Sequence, residues 1–435
     1  HTRSVRQMVI DCLVVTTKIY GINVKRYKIC VIGAGSASAI CMLTLMGELG
    51  YNNISLNCIY DPNTPITTVG ESISIKPIML MQDLLKFNFD RNGQELDMTI
   101  RYGTQHTFEN NLGKSFIANY GNNLDGTTAI AHHINSEKFS SYVINNLKKH
   151  YSFMFKAHED VVLDLRNENR KVLVICEKFT HEYDYVIDCR GTPSTEMLES
   201  DLYAKPDYET VNSVLIYPEF KSYDDKYTTA HFHENGWMFG IPLQHRKAFG
   251  YLYNNKITTK ENAIEHFQTM KPQIEIEKLR SITWSHYYRK KVMDGRIMYM
   301  GNNLYFFEPA MGLPLHHFHH MTSVFCTFLK SSFLPELDVS NFMNVFHEGQ
   351  MEILQDLIAI NYSGNHNMKT EFWQKTSNQT KNRLKNSIYF QDYIRETLNN
   401  KKYGQYWCFL VPLMQTYLEG FDVNIEDLIT QSAVI

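Results

Sequence analysis

The most constraining stretch of this chain is residues 27–40, YKICVIGAGSASAI. An apolar run from Ile29 to Ile32 meets Gly33-Ala34-Gly35, and small and apolar residues follow through Leu49. The pattern predicts a buried strand, a tight glycine turn and a helix. Gly33 permits the turn. Gly35 lets the backbone approach a pyrophosphate, whose charge then rests on the helix N-terminus at Ser36 and Ala37. Ser38 stands where such turns carry a third glycine and is small enough for helix–strand packing. The same residues also suit a glycine-rich turn in an ordinary α/β unit.

The segments that follow extend the first reading. ISLNCIY (54–60) reads as the second strand of a βαβ unit, ended by Asp61-Pro62. Asp61 either binds an adenosine ribose or caps the turn. TTVGE (67–71) leads into a helix reaching about Asn88, and TIRYGTQHTF (99–108) reads as a strand. Residues 136–150 form a helical pattern. VVLDLRN, KVLVICEKF and YDYVIDCRG then read as three strands that return the chain to the cofactor sheet. Residues 205–290 mix strands and loops, with GWMFGIPLQ and AFGYLYN as strands; from His316 onward the pattern is mostly helical. The expected architecture is α/β. It has an N-terminal extension (1–24), a Rossmann-like lobe (25–330) with an inserted sheet at about 205–290, and a largely helical substrate lobe (331–435).

At 435 residues the chain is long enough for a large core. A formal charge of −3 gives no bias towards nucleic acid or a membrane surface. No apolar run reaches bilayer length, and Met8–Val15 is short and interrupted by Asp11, unlike a signal peptide. The eight cysteines are scattered without a CxxC, which suggests reduced thiols and a cytoplasmic setting.

Four further constellations carry chemistry. Asp188 and Gly191 end an apolar strand in YDYVIDCRG, and a strand ending Asp-x-x-Gly downstream of a GxG turn recurs in flavoproteins; it is also a plain strand-end turn. Gly301 ends another strand, and Glu308-Pro309 follows seven residues later, before a helix whose N-terminal amides would face a flavin or an anion. Trp237 and Phe239 alternate on one strand and so share a face, either lining a site or packing on the core. His316, His317, His319 and His320 form a cluster with no carboxylate pattern around it, and no metal is expected there.

Taken in order, these segments resemble the flavin-dependent halogenases of the tryptophan-halogenase family over roughly residues 25–375. The family's nucleotide motif resembles Gly33-Ala34-Gly35-Ser36-Ala37, and its Gly-Glu strap resembles Val69-Gly70-Glu71-Ser72. Its histidine-to-phenylalanine segment looks like His133 through Phe139, and its Asp-x-x-Gly like Asp188 to Gly191. Its Trp-x-Trp-x-Ile-Pro signature appears as Trp237-Met238-Phe239-Gly240-Ile241-Pro242, with Phe239 in place of the second tryptophan. Gly301 with Glu308-Pro309, and Leu354 to Trp373, complete the likeness.

The resemblance implies an enzyme that takes FAD as FADH2, O2 and a halide, and halogenates an electron-rich aromatic through hypohalous acid. Cofactor contacts would fall on Gly33, Gly35, Ser36, Ala37, Asp61, Gly70, Asp188, Gly191, Gly301, Glu308 and Pro309. Halide would sit at Gly312 and Leu313. Trp237, Phe239, Ile241 and Pro242 would line the substrate tunnel. A separate flavin reductase would supply FADH2, and the protein would form a homo-oligomer. The Asn-, Lys-, Ile- and Tyr-rich composition suits a phage-encoded member. The departures are specific. The family's catalytic lysine falls on Asp97, or near Gly103 under another gap, and its catalytic glutamate on Met311. Pro314, lacking an amide hydrogen, falls in the halide cradle. Lys76, near the strap, is the replacement expected, with Glu71 beside it. Bromide or iodide is expected over chloride. The alternatives are a flavin monooxygenase and a non-catalytic flavin-binding member.

Overall fold

The computed structural model of the chain describes residues 26–65, 71–110, 113–119, 130–221, 225–330, 336–364, 366–398 and 410–429. Its first layer is a six-stranded sheet. In spatial order the strands are Met293–Asp294, Ile297–Tyr299, Tyr185–Asp188, Tyr27–Ile32, Ile54–Tyr60 and Phe155–Glu159. All pairs are parallel except the outermost, Met293–Asp294 with Ile297–Tyr299. A central parallel strand is covered on both faces, so Cys30-Val31-Ile32 is wholly buried and unbroken by polar residues.

The helix Ser36–Leu49 crosses from the first strand to the second and is buried on nearly every side. A helix apolar all round must be sandwiched. The second wall of that sandwich is the helix Pro314–Lys330: Thr322 Oγ1 donates to Cys41 Sγ (3.4 Å), and Lys330 pairs with Glu48 at 2.8 Å. The strands Val162–Glu168, Lys171–Cys176 and Thr180–Tyr183 form an antiparallel sheet. Its last strand leads into Tyr185–Asp188 beside the first strand, the return read from the sequence.

The second large sheet has seven strands, in the order Arg280–Thr283, Ser213–Glu219, Lys247–Tyr253, Gly236–Pro242, Tyr227–His233, Gly103–Phe108 and Ser115–Asn119. Two of these come from far upstream of residue 205. The run 99–108, read as one strand, is split at Tyr102. Thr99–Arg101 pairs with Ala131–Ile134 in a small three-stranded sheet, whereas Gly103–Phe108 joins the large one. The Tyr102 amide donates to the Lys226 carbonyl (2.8 Å), so the chain changes partners at that residue. The helix after the strap is also shorter than read, Ile75–Leu85, because Lys86 adopts a left-handed conformation (φ 59°) that ends it.

The C-terminal part is helical: Glu336–Ser363, Glu371–Asn386, Ile388–Leu398 and Leu410–Gly420. Arg383 joins the first two of these helices through Asp356 (2.9 Å) and Glu352 (2.5 Å). Trp373 Nε1 donates to the His233 carbonyl (2.8 Å), fastening the helices to the large sheet. No helix among the described residues is long and apolar enough to cross a membrane.

Candidate active site

A cavity of about 1170 Å³ runs from the glycine turn to the large sheet and the long C-terminal helix. At one end it is lined by Gly33, Gly35, Ser36, Ala37, Asp61 and Gly191; at the other by Trp237, Phe239, Glu308, Leu354 and Ile358. The volume exceeds that of an ordinary small-ligand pocket, roughly 300–1,000 Å³.

The first end fits a dinucleotide cofactor. Gly33 has φ +110°, and a methyl group built on it would lie 3.0 Å from the Cys189 carbonyl oxygen, so strand, turn and returning strand close here only around glycine. A methyl group on Gly35 would meet nothing within 4 Å: the space before the helix is open, as a bound pyrophosphate needs. No side chain caps that helix, leaving its first amides for an anion. Gly301 (φ +66°) approaches the same helix: a methyl group there would lie 3.0 Å from Ala37 Cβ. Asp61 lines the cavity while its carboxylate accepts from Asn63 N (2.9 Å) and Thr64 Oγ1 (3.2 Å), so it caps the turn at the cavity's edge. Asp188 is fully buried beneath the cavity and is not part of its lining. It accepts from Arg190 Nε (2.9 Å) and Nη2 (2.8 Å), holding the turn that presents Gly191.

The middle of the cavity carries the residues that sequence reasoning did not select. Arg101 is buried. Its guanidinium donates to Ser72 Oγ and to Thr104 Oγ1 (2.7 Å), and a methyl group on Gly312 would lie 3.2 Å from Nη1. His133 is buried between Thr99 Oγ1 (3.0 Å) and Thr228 Oγ1 (2.8 Å), and burial, with the Arg101 charge second, holds its pKa well below the usual value. No sequence pattern singled out Arg101; the strand break at Tyr102 brings it to the cavity.

Gly312, Leu313, Pro309 and Ile241 line the cavity; Pro242, next to Ile241, is buried but not in the lining. Gly312 (φ +65°) closes a 3₁₀ turn, Ala310–Gly312, and the helix Pro314–Lys330 starts with Pro314 in its first turn, where a missing amide is tolerated. Lys76 is exposed on the helix Ile75–Leu85, outside the lining, and no lysine lines the cavity among the described residues. Asp97, one of the two places where the resemblance puts the family's lysine, is buried elsewhere, accepting from the His245 amide (3.2 Å). Glu71 pairs through its backbone with Ile134, and Gly70 lies outside the described residues.

The other end of the cavity is organised by Glu308. Its carboxylate accepts from Thr210 Oγ1 (2.5 Å) and Tyr362 OH (2.9 and 3.1 Å), and Tyr362 OH accepts from Trp237 Nε1 (3.0 Å). Three separate elements are thereby joined. Burial raises the Glu308 pKa to about 7, against the lowering effect of these donors. The histidines at 316–320 lie on the helix Pro314–Lys330, where His319 Nδ1 meets Thr44 Oγ1 (2.9 Å). Among the described residues no group of three or more His, Cys, Asp or Glu is placed to hold a metal ion.

Residues 109–402, well over half the chain, match the tryptophan halogenase family. The chain belongs to that family. Its fold is also that of solved family structures. A tryptophan halogenase from Shewanella frigidimarina superposes with a TM-score of 0.77 at 15% identity, covering 92% of this chain and 89% of that one. BrvH, a flavin-dependent halogenase from Brevundimonas sp. BAL3, gives 0.74 at 14% identity, with 92% and 90% covered. A flavin-dependent halogenase from Xanthomonas campestris gives 0.70 at 14%, with 94% and 93% covered. Where the resemblance calls for a lysine, this member of the family carries Asp97 or, under another gap, the residues near Gly103, and where it calls for a glutamate, Met311.

Proposed function

We propose that the protein is a flavin-dependent halogenase that acts on a small electron-rich aromatic, with bromide or iodide used in preference to chloride. One observation supports this most: in a chain of this family, a single cavity joins a dinucleotide-type glycine turn to an aromatic-lined pocket. FAD would be held by Gly33, Gly35, Ser36 and Ala37, with Asp61 at the ribose end and Gly191, Gly301 and Pro309 against its ring system; Asp188 would act through Arg190 and the turn. Reduced FAD, when bound, would supply the two-electron activation of O2 that oxidises halide to hypohalous acid.

The chain's own residues have separate tasks. Gly312 and Leu313 would cradle halide. Arg101, rather than Lys76, is the buried cation beside that cradle, and its guanidinium would hold the oxidised halogen by charge-assisted hydrogen bonds. Trp237, Phe239 and Ile241 would exclude water and present the arene ring. A separate flavin reductase would deliver FADH2. The non-catalytic reading rests on Asp97 and Met311, which put neither the family's lysine nor its glutamate in place. The deciding experiment supplies FAD, a flavin reductase, NADH and each halide with a panel of arenes, and reads products by mass spectrometry. Halogenated product depending on all components supports the enzyme; flavin binding with no product on any arene supports the non-catalytic member.

A further inference from the structure

Glu308 is a buried carboxylate with no ion-pair partner among the described residues, set in the wall of an aromatic pocket. Every group that hydrogen-bonds to it is neutral: the hydroxyls of Thr210 and Tyr362 and the indole N–H of Trp237. These three donors leave part of the carboxylate's capacity unused, since two carboxylate oxygens offer about four acceptor sites. The donors are fixed: Tyr362 is itself held by Trp237 Nε1, and Thr210 sits on the chain leading into the large sheet. The titratable groups around Glu308 are Tyr362 and Tyr208, both kept neutral by burial; Tyr208 OH donates to the Gln355 carbonyl (2.9 Å) and also feels Arg383 and Asp356. Elsewhere in the lining stand Arg101, Arg190, Asp61 and Asp160, and burial holds His106 and His133 below the usual histidine value.

A rigidly held carboxylate in an apolar wall discriminates strongly for a ligand that brings a hydrogen-bond donor, because a ligand without one leaves the buried charge unmatched. We propose that Glu308 selects the substrate: an aromatic ring bearing an O–H or N–H, of the phenol or indole class, whose donor hydrogen-bonds to the carboxylate. The proposal rests on the halogenase reading for its chemistry but not for the binding. In the reaction, the substrate's O–H or N–H leans its proton onto Glu308, raising electron density in the ring. A ring carbon then forms the C–X bond while the X–O bond of hypohalous acid breaks, its electron pair leaving on hydroxide. The ring carbon's proton goes to that hydroxide, giving water, and the heteroatom keeps its own proton when the product leaves.

The test uses the full chain loaded with oxidised FAD, with phenol against anisole and indole against 1-methylindole as probes in calorimetry. We expect the donor-bearing ring of a pair to bind about tenfold more tightly than its methylated partner. That preference should weaken several-fold from about pH 8 to about pH 6, as the carboxylate is protonated and stops accepting. Glu308→Gln should abolish the pH dependence and shrink the preference; Glu308→Asp should keep the pH dependence with weaker binding. Circular dichroism checks the fold of both, and if neither variant folds, the paired titration of the native chain still decides. Equal binding of parent and methylated rings, binding of none of the four, or an unchanged pH profile in Glu308→Gln overturns the proposal. A donor preference lost in Glu308→Gln without halogenated product in the native protein overturns the halogenase reading alone. Product formed with no role for Glu308 in binding overturns only this inference.

Discussion

Gly35 and Tyr362 show how much a single residue decides here. Gly35 faces open space, so a larger side chain would fold but would occupy the ground of a pyrophosphate. Gly35→Asp adds both bulk and negative charge at an uncapped helix N-terminus. It should weaken FAD binding by about a hundredfold, in line with the loss of two or more charge-assisted hydrogen bonds, with melting behaviour little changed. Unaltered FAD affinity in the folded variant would count against this turn as the cofactor site. Tyr362 donates to Glu308 and accepts from Trp237. Tyr362→Phe removes a donor that lowers the Glu308 pKa and leaves the indole N–H without its acceptor. The expected loss is about 1–3 kcal/mol of stability, the penalty for an unsatisfied buried polar group. Glu308 should also titrate at higher pH than in the native chain, seen as its carboxyl C=O band in infrared difference spectra. No change in that titration would mean that burial alone sets it.

At the scale of elements, the helix Pro314–Lys330 and the long helix Glu336–Ser363 carry histidines that folding keeps neutral. Burial lowers His319 and His347 to about 4 and holds His317 well below its usual value. These groups bind fewer protons folded than unfolded. The stability they contribute is therefore present above their unfolded pKa, near 6.5, and is lost as pH falls towards their folded values. For His347, buried with Nε2 against the Arg289 carbonyl (2.7 Å), the loss between about pH 6.5 and pH 5 is roughly 2 kcal/mol. Glu308 and Asp356, both raised to about 7 by burial, act in the opposite sense, gaining stability as pH falls from 7. Depressed histidines outnumber them, so the thermal midpoint should fall on acidification. His347→Gln keeps a donor for Arg289 and removes the titration, and its melting curve should depend less on pH in this range. A slope equal to the native one would place the acid sensitivity elsewhere.

For the whole molecule, the test is what the assembled cavity accepts and what it needs from outside. No second nucleotide fingerprint is evident in the sequence, so the bound flavin should be reduced by a partner enzyme and not by NADH directly. Fast bleaching of bound FAD by NADH alone would refute that. Pro314 and Met311 take an amide and a carboxylate from the proposed halide cradle, and one missing amide–anion hydrogen bond is worth about 1.5–3 kcal/mol, tenfold to a hundredfold in binding. Chloride, the most strongly hydrated of the three, should suffer most. Product yields at matched halide concentration should therefore run higher with bromide or iodide than with chloride; chloride equal to either would show that neighbouring loops rebuild the cradle.

How far the sequence reaches follows from the range of each interaction. The glycine turn, its strand and its helix were legible because strand period, turn geometry and helix start are all set within about fifteen residues. The alternation of Trp237 and Phe239 was legible for the same reason, and the ordered motifs marked the family. The Arg101 position needed more. Its strand ends with it, because the next residue, Tyr102, bonds to Lys226, more than a hundred residues away. Likewise Glu308, Thr210, Tyr362 and Trp237 are scattered through the chain, and no local pattern announces that they share one hydrogen-bonded network. Lys76 illustrates the converse: close in sequence to the strap, it is turned to solvent by the helix that bears it. The sequence by itself thus determined most of the elements and the glycine turn, whose physics is local. Only the tertiary structure decided which charges are buried in the cavity, because desolvation and pairing depend on neighbours that the chain brings together after it has folded.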